Sequence, residues 1–78
     1  MTVTPVFVGI DVSKERLDVA RRPSGDGWAV ANNDPGIAAL VDRLRELPPA
    51  LIVLEATGGL ELAVTGALAA ADLPVVVV

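Results

Sequence analysis

Two carboxylates hold matching places in this chain. Asp11 follows the apolar run "VFVGI" (residues 6–10), and Glu55 follows "LIVL" (residues 51–54). An ionised carboxylate is costly to bury unless it is paired or bound to a metal. If the two runs are neighbouring parallel strands, their C-terminal ends coincide and so do the carboxylates. Ligands of open α/β sheets bind in that region. Two close carboxylates repel each other unless they share a proton or a cation, and a divalent ion with oxygen ligands satisfies both. The chain has no histidine and no cysteine. That removes the commonest zinc ligand, the usual general base and any thiolate site. Mg²⁺, Mn²⁺ and Ca²⁺ remain as the metals suited to carboxylate and backbone oxygen. Taken singly, either acid reads as a turn or cap residue; their matching contexts favour function. Asp18 is the next candidate, although an acid on the outer face of a strand is ordinarily solvated.

The elements that must position this pair follow from periodicity. Residues 6–10 are β-branched and apolar on both faces, which predicts a central strand. Residues 17–22 alternate, with Leu17 and Val19 on one side and Asp18 and Ala20 on the other. The run "RPSGDG" is a turn signal, and residues 28–31 resume extended character, completing an antiparallel meander. Asp34 before Pro35 predicts an N-cap with proline at the first helical position. Ile37, Leu40, Val41 and Leu44 then line one helical face, and Pro48–Pro49 ends the helix. Residues 51–54 form a further strand, a second helix is expected over residues 60–72, and "VVVV" is the final strand. The second helix presents Leu60, Val64, Ala67, Leu68 and Ala71. The predicted order is β-β-β-α-β-α-β, an α/β mixed sheet with right-handed crossovers. No repeat or linker divides residues 1–78, which read as one domain or a piece of one.

Composition narrows the partners. A chain of 78 residues with 53% apolar content has a core, yet buries only about 60% of its unfolded surface. Ten acids against six bases give a net charge of −4, the wrong sign for a self-sufficient nucleic-acid binder. Lys14, Arg16, Arg21 and Arg22 are nonetheless clustered within nine residues. They form either a small positive edge near Asp11 or a solvated hairpin surface. The N-terminus lacks a signal-peptide pattern, and Asp72 and Pro74 divide the apolar C-terminal stretch short of a membrane span. A soluble cytoplasmic protein without membrane contact is expected.

The segments "GIDVSKERLDVA" and "VLEATGGLE" together resemble the N-terminal region of the DEDD transposases of bacterial insertion sequences. The catalytic domain of that family is similar to the RuvC Holliday-junction resolvase and has the ribonuclease H-like fold. Gly9, Ile10, Asp11, Ser13, Lys14, Leu17, Asp18 and Val19 match the first family block, and Glu55, Ala56, Thr57 and Gly58 match the second. With the spacing, the intervening helix and the Pro-Val-Val strand, the resemblance covers essentially the whole chain.

The resemblance implies a metal-dependent DNA transposase or recombinase, with the first aspartate and the glutamate of its tetrad on Asp11 and Glu55. They are then expected to ligate Mg²⁺ or Mn²⁺ and to act catalytically in phosphodiester strand transfer. Members are associated with a guide RNA and with DNA. The paired downstream aspartates of the tetrad do not occur in these residues, nor does the family's serine domain. The sheet is accordingly expected to be an incomplete, N-terminal portion of the RuvC-like domain, inactive alone. Two other readings remain. An actin or sugar-kinase type of nucleotide-binding half-domain also opens with a strand and an aspartate, but Val12, Ser13 and Lys14 offer none of the glycine its phosphate hairpin wants. A non-catalytic dimerisation module is the other, because an edge strand of valines invites self-association.

Overall fold

The computed structural model describes residues 4–46 and 48–78. Its elements are β1 (Phe7–Val12), β2 (Arg16–Arg22), β3 (Gly27–Ala31), α1 (Asp34–Glu46), β4 (Leu51–Leu54), α2 (Leu62–Ala70) and β5 (Val75–Val77). They form a five-stranded sheet of order β3-β2-β1-β4-β5. The meander β1–β2–β3 is antiparallel, whereas β4 lies parallel to β1 and β5 parallel to β4. The expected mixed sheet and its element order are therefore present.

Both helices cover the same face. Val8, Ile10 and Val12 of β1, Leu17 and Val19 of β2, and Ile52 and Leu54 of β4 enclose a core with Ile37, Leu40 and Leu44 of α1 and Val64 and Leu68 of α2. Burying each such aliphatic side chain contributes about 1.5–3 kcal/mol against leaving it in water. The opposite face is open: Phe7, Gly9 and Asp11 alternate with the buried residues of β1. A strand buried on both faces was expected at residues 6–10. The strand is central, but helices close only one side of it, so Phe7 keeps 45% of its surface.

Several boundaries differ from the sequence reading for local reasons. β1 runs on through Asp11 to Val12 because Asp11 pairs with Asp18 in the ladder, and the strand ends only at the Ser13–Arg16 turn. There the Ser13 N–H and hydroxyl both donate to the Arg16 carbonyl, at 3.0 and 2.8 Å. The cap of α1 is Asn33, not Asp34: its Oδ1 accepts from the Gly36 N–H at 2.9 Å, a side-chain cap of the orphan donors in the first turn. A Cβ at Gly36 would collide with the Ala31 carbonyl, so glycine lets the chain fold from β3 into α1.

The second helix is shorter than the expected 60–72. Gly58 and Gly59 take left-handed φ values of 64° and 98°, which holds residues 57–61 in turns and leaves Leu60 exposed rather than in the apolar stripe. At the other end Asp72 has φ 60°, and the N–H groups of Asp72 and Leu73 bond back to the carbonyls of Ala69 and Leu68 at 3.0 Å each. This is a Schellman closure with aspartate in the position usually held by glycine. No helix among the described residues is long and apolar enough to cross a membrane.

Candidate functional site

The register of the sheet brings the predicted pair together. Gly9 is abreast of Val53 and Ile10 of Leu54 across the parallel strands β1 and β4. Asp11 and Glu55 are the next residues after that last pair, Glu55 just beyond the end of β4, where neighbouring strands run about 4.8 Å apart. Both side chains are exposed on the open face. Across the other ladder of β1, Asp11 is the direct partner of Asp18. Asp18 and Asp11 are thus abreast on β2 and β1, with Glu55 at the adjoining end of β4. All three line one hollow of about 470 Å³, whose floor includes Gly9, Ala20 and Val53 and whose rim includes Thr57 and Val78.

The three acids differ in what they hold. Asp18 spends both oxygens on Arg16, accepting from Nη2 at 2.7 Å and from Nε at 3.0 Å. That hydrogen bond, with the attraction of opposite charges, holds the Arg16 proton more firmly than usual. Asp11 and Glu55 take part in no ion pair among the described residues. Nor do three histidine, cysteine or carboxylate side chains converge closely enough among those residues to form a metal cage. The donor set still fits a hard cation, because Mg²⁺ is ordinarily held by one or two carboxylates and completes its shell with water and substrate phosphate.

Two side chains outside the predicted set hold the turns that follow Asp11 and Glu55. Glu61 is 8% exposed, and its Oε1 accepts from the Thr57 N–H at 2.9 Å and the Gly59 N–H at 3.0 Å. The Thr57 N–H, the largest influence, keeps the Glu61 carboxyl below the usual glutamate range despite the opposing effect of desolvation. The turn after Glu55 thus closes on an anion from its own chain. Asn32 joins the two loops: its Nδ2 donates to the Ser13 carbonyl at 2.9 Å and the Leu60 carbonyl at 3.4 Å. A threonine four residues before a glutamate across two glycines was the available signal for Glu61. For Asn32 the sequence offered only a turn-like "NN".

A mixed sheet of order β3-β2-β1-β4-β5, with three antiparallel strands leading into parallel ones, is the ribonuclease H-like fold. Among solved structures, the chain is similar to RuvC of Thermus thermophilus in complex with a Holliday-junction substrate, with a TM-score of 0.72 and 19% identity. A second Thermus thermophilus RuvC structure matches with a TM-score of 0.60 and 21% identity. These matches cover 96% and 92% of this chain, which spans 64% and 60% of the two RuvC chains. No protein-family model matches the sequence, and no curated protein is similar to it. At this identity the likeness establishes a RuvC-like fold.

Proposed function

We propose that this chain is the N-terminal portion of a metal-dependent, RuvC-like DNA transposase or recombinase domain, with Asp11 and Glu55 as its first two metal-ligating carboxylates. The observation that carries the reading is that both acids, each one residue past the last pair of the parallel strands β1 and β4, line one hollow of the open face. The resemblance of both sequence blocks to the DEDD transposases supports it, as does a fold shared with a protein that binds Holliday-junction DNA.

A divalent ion bound there supplies Lewis-acid stabilisation of charge on a phosphodiester oxygen. The chain's own part is positional. Asp11 is fixed by the ladder to β2, one residue beyond the last pair of β1 with β4, and Glu55 by the turn that Glu61 closes. Asp18 turns Arg16 along β2, keeping a cation near the acids. Two carboxylates are half of the tetrad that the resemblance implies, so these residues are expected to bind metal weakly and to show no turnover alone.

The test is Mn²⁺ titration followed by electron paramagnetic resonance, with and without a DNA duplex. Weak binding that tightens with DNA and is lost in Asp11→Asn and Glu55→Gln supports the reading. Affinity unchanged in both variants overturns it. A second property, self-association through the sheet edge, is favoured by one observation: β5 ends the sheet with Val76, Val77 and Val78 exposed.

A further inference from the structure

One cation already sits on the acids of the open face, and it belongs to the chain itself. Arg16 and Asp18 lie two residues apart on the same side of β2. The Arg16 fork closes on both oxygens of Asp18, at 2.7 and 3.0 Å. The Ser13–Arg16 turn fixes where that fork begins: the Ser13 hydroxyl donates to the Arg16 carbonyl and accepts from the Arg16 N–H at 3.3 Å. On β3 the ladder partners of Arg16 and Asp18 are Ala31 and Ala29. Neither alanine side chain has a polar group, so nothing on that strand draws either charge away.

Asp18 therefore has charged neighbours in two directions. Along its own strand it meets Arg16, and across the ladder it meets Asp11, the Cβ atoms of such partners being about 4.5–5.5 Å apart. A change of χ1 rotamer re-aims a short acid side chain, and the structure holds this one toward Arg16. The pair is open to solvent, with 64% of the Arg16 side chain and 42% of the Asp18 side chain exposed. Exposed ion pairs are weakly held, so a divalent ion can compete for the same carboxylate.

Oxygen-bound divalent ions respond strongly to the number of charged ligands. Asp11 and Glu55 supply two, and no third acid converges on them among the described residues. We infer that Arg16 is an internal competitor of the metal: by holding Asp18 it withholds a third carboxylate from the ion at Asp11 and Glu55, and so lowers the affinity of the site. The inference rests on Asp11 and Glu55 being metal ligands, and adds to them a residue that regulates occupancy. An ion that takes Asp18 releases the guanidinium, and a guanidinium that keeps Asp18 leaves the ion two acids.

The experiment measures Mn²⁺ affinity of the 78-residue chain by electron paramagnetic resonance, with circular dichroism to confirm the fold of each variant. At about 0.15 M salt, exposed charges more than roughly 8 Å away are largely screened. Arg16→Gln is expected to bind about fivefold more tightly than wild type. Asp18→Asn alone should change affinity by less than about twofold, whereas added to Arg16→Gln it should cancel the whole increase, a non-additivity that marks direct coupling. Arg45→Gln, the same change of charge on α1, should bind as wild type.

Arg16→Gln binding no more tightly than wild type overturns the inference. So does an equal loss from Asp18→Asn in both backgrounds, which is what a change of field alone produces, and so does an equal increase in Arg45→Gln. Against a wild type that binds no measurable Mn²⁺, binding that appears in Arg16→Gln supports the competition and its absence overturns it. Failure of the carboxylate reading shows elsewhere, as affinity unchanged in Asp11→Asn and Glu55→Gln, a comparison in which Arg16 takes no part.

Discussion

Asp11 and Asp18 are direct partners across the antiparallel ladder of β1 and β2, and both face the open side of the sheet. Like charges directly opposite are destabilising, by about 0.2–1 kcal/mol. Arg16 relieves Asp18, but Asp11 also has Glu55 beside it on β4. We therefore expect Asp11→Asn to stabilise the metal-free chain by about 0.2–1 kcal/mol in chemical denaturation, while it abolishes Mn²⁺ binding. Opposite signs for stability and binding are the mark of a ligand. A variant that loses stability without metal would make Asp11 a structural residue.

The turn after Glu55 depends on Glu61 accepting from Thr57 and Gly59. Glu61→Ala removes the acceptor and leaves two backbone donors to find water. It should lower the melting temperature and raise amide exchange at Thr57 and Gly59, with weaker Mn²⁺ binding through displacement of Glu55. Glu61→Gln keeps a carbonyl oxygen in place and should recover most of both effects. The folded chain holds this carboxyl below its ordinary value, so its contribution to stability is complete above the unfolded value of about 4.3. It is lost as pH falls through the lower folded value. Exchange at Gly59 that is insensitive to pH across that window would show that the neutral acid holds the turn equally well.

Asn32 gives a separate test of how the two loops are joined. Its amide reaches both the Ser13 and the Leu60 carbonyl, and a typical intramolecular hydrogen bond is worth a net ~0.5–1.5 kcal/mol. Asn32→Ala should destabilise by about one such bond and weaken Mn²⁺ binding several-fold, with the sheet intact by circular dichroism. Metal binding that keeps its wild-type strength would show that each loop is held independently.

Legibility in the sequence followed the range of the interactions. The alternation of Leu17 and Val19 against Asp18 and Ala20, and the 3.6-residue spacing of Ile37, Leu40 and Leu44, are local patterns, and the fold obeys both. Asp11 and Glu55 were legible because each ends an apolar run, and parallel pairing does the rest. Asp18 ranked behind them, because an acid on the outer face of a strand is ordinarily solvated. Its place opposite Asp11 depends on the register set by the Ser13–Arg16 turn, and one residue of slip would have sent it to the helix face. Glu61 was invisible for another reason: its role exists only when Gly58 and Gly59 adopt positive φ and turn their neighbours' N–H groups onto one oxygen. Which side of the sheet stays open was not legible at residues 6–10, because an apolar run does not say which of its faces a helix will cover.

The core offers a check on the fold itself. Leu40 is fully buried, at 0% exposure, between the sheet and α2. Replacing a buried leucine by alanine costs about 2–5 kcal/mol, against a total of about 4–12 kcal/mol for a domain of this length. Leu40→Ala should therefore leave the chain partly unfolded at ambient temperature. Val41, on the same helix but only half-buried, should tolerate alanine at a smaller cost. Equal effects at the two positions would contradict the orientation of α1.

The edge strand β5 has a donor and acceptors to spare, and their arrangement is self-complementary. The Ile52 N–H bonds to the Pro74 carbonyl and the Val78 N–H to the Leu54 carbonyl, so alternate groups of β5 face β4 and those of Val75 and Val77 face outward. The Val75 N–H turns back to the Leu73 carbonyl at 2.9 Å, which leaves the N–H and carbonyl of Val77 as a free pair among the described residues. An antiparallel second copy can answer both through a two-fold axis at Val77, continuing the sheet. The contact is short, so association should be weak and concentration-dependent in sedimentation equilibrium. Val77→Pro removes the outward N–H while sparing every bond to β4, as proline is tolerated on an edge strand. It should give a monomer with an unchanged circular dichroism spectrum. A wild-type chain that stays monomeric at millimolar concentration, or a Val77→Pro variant that associates equally well, would exclude this edge as the contact.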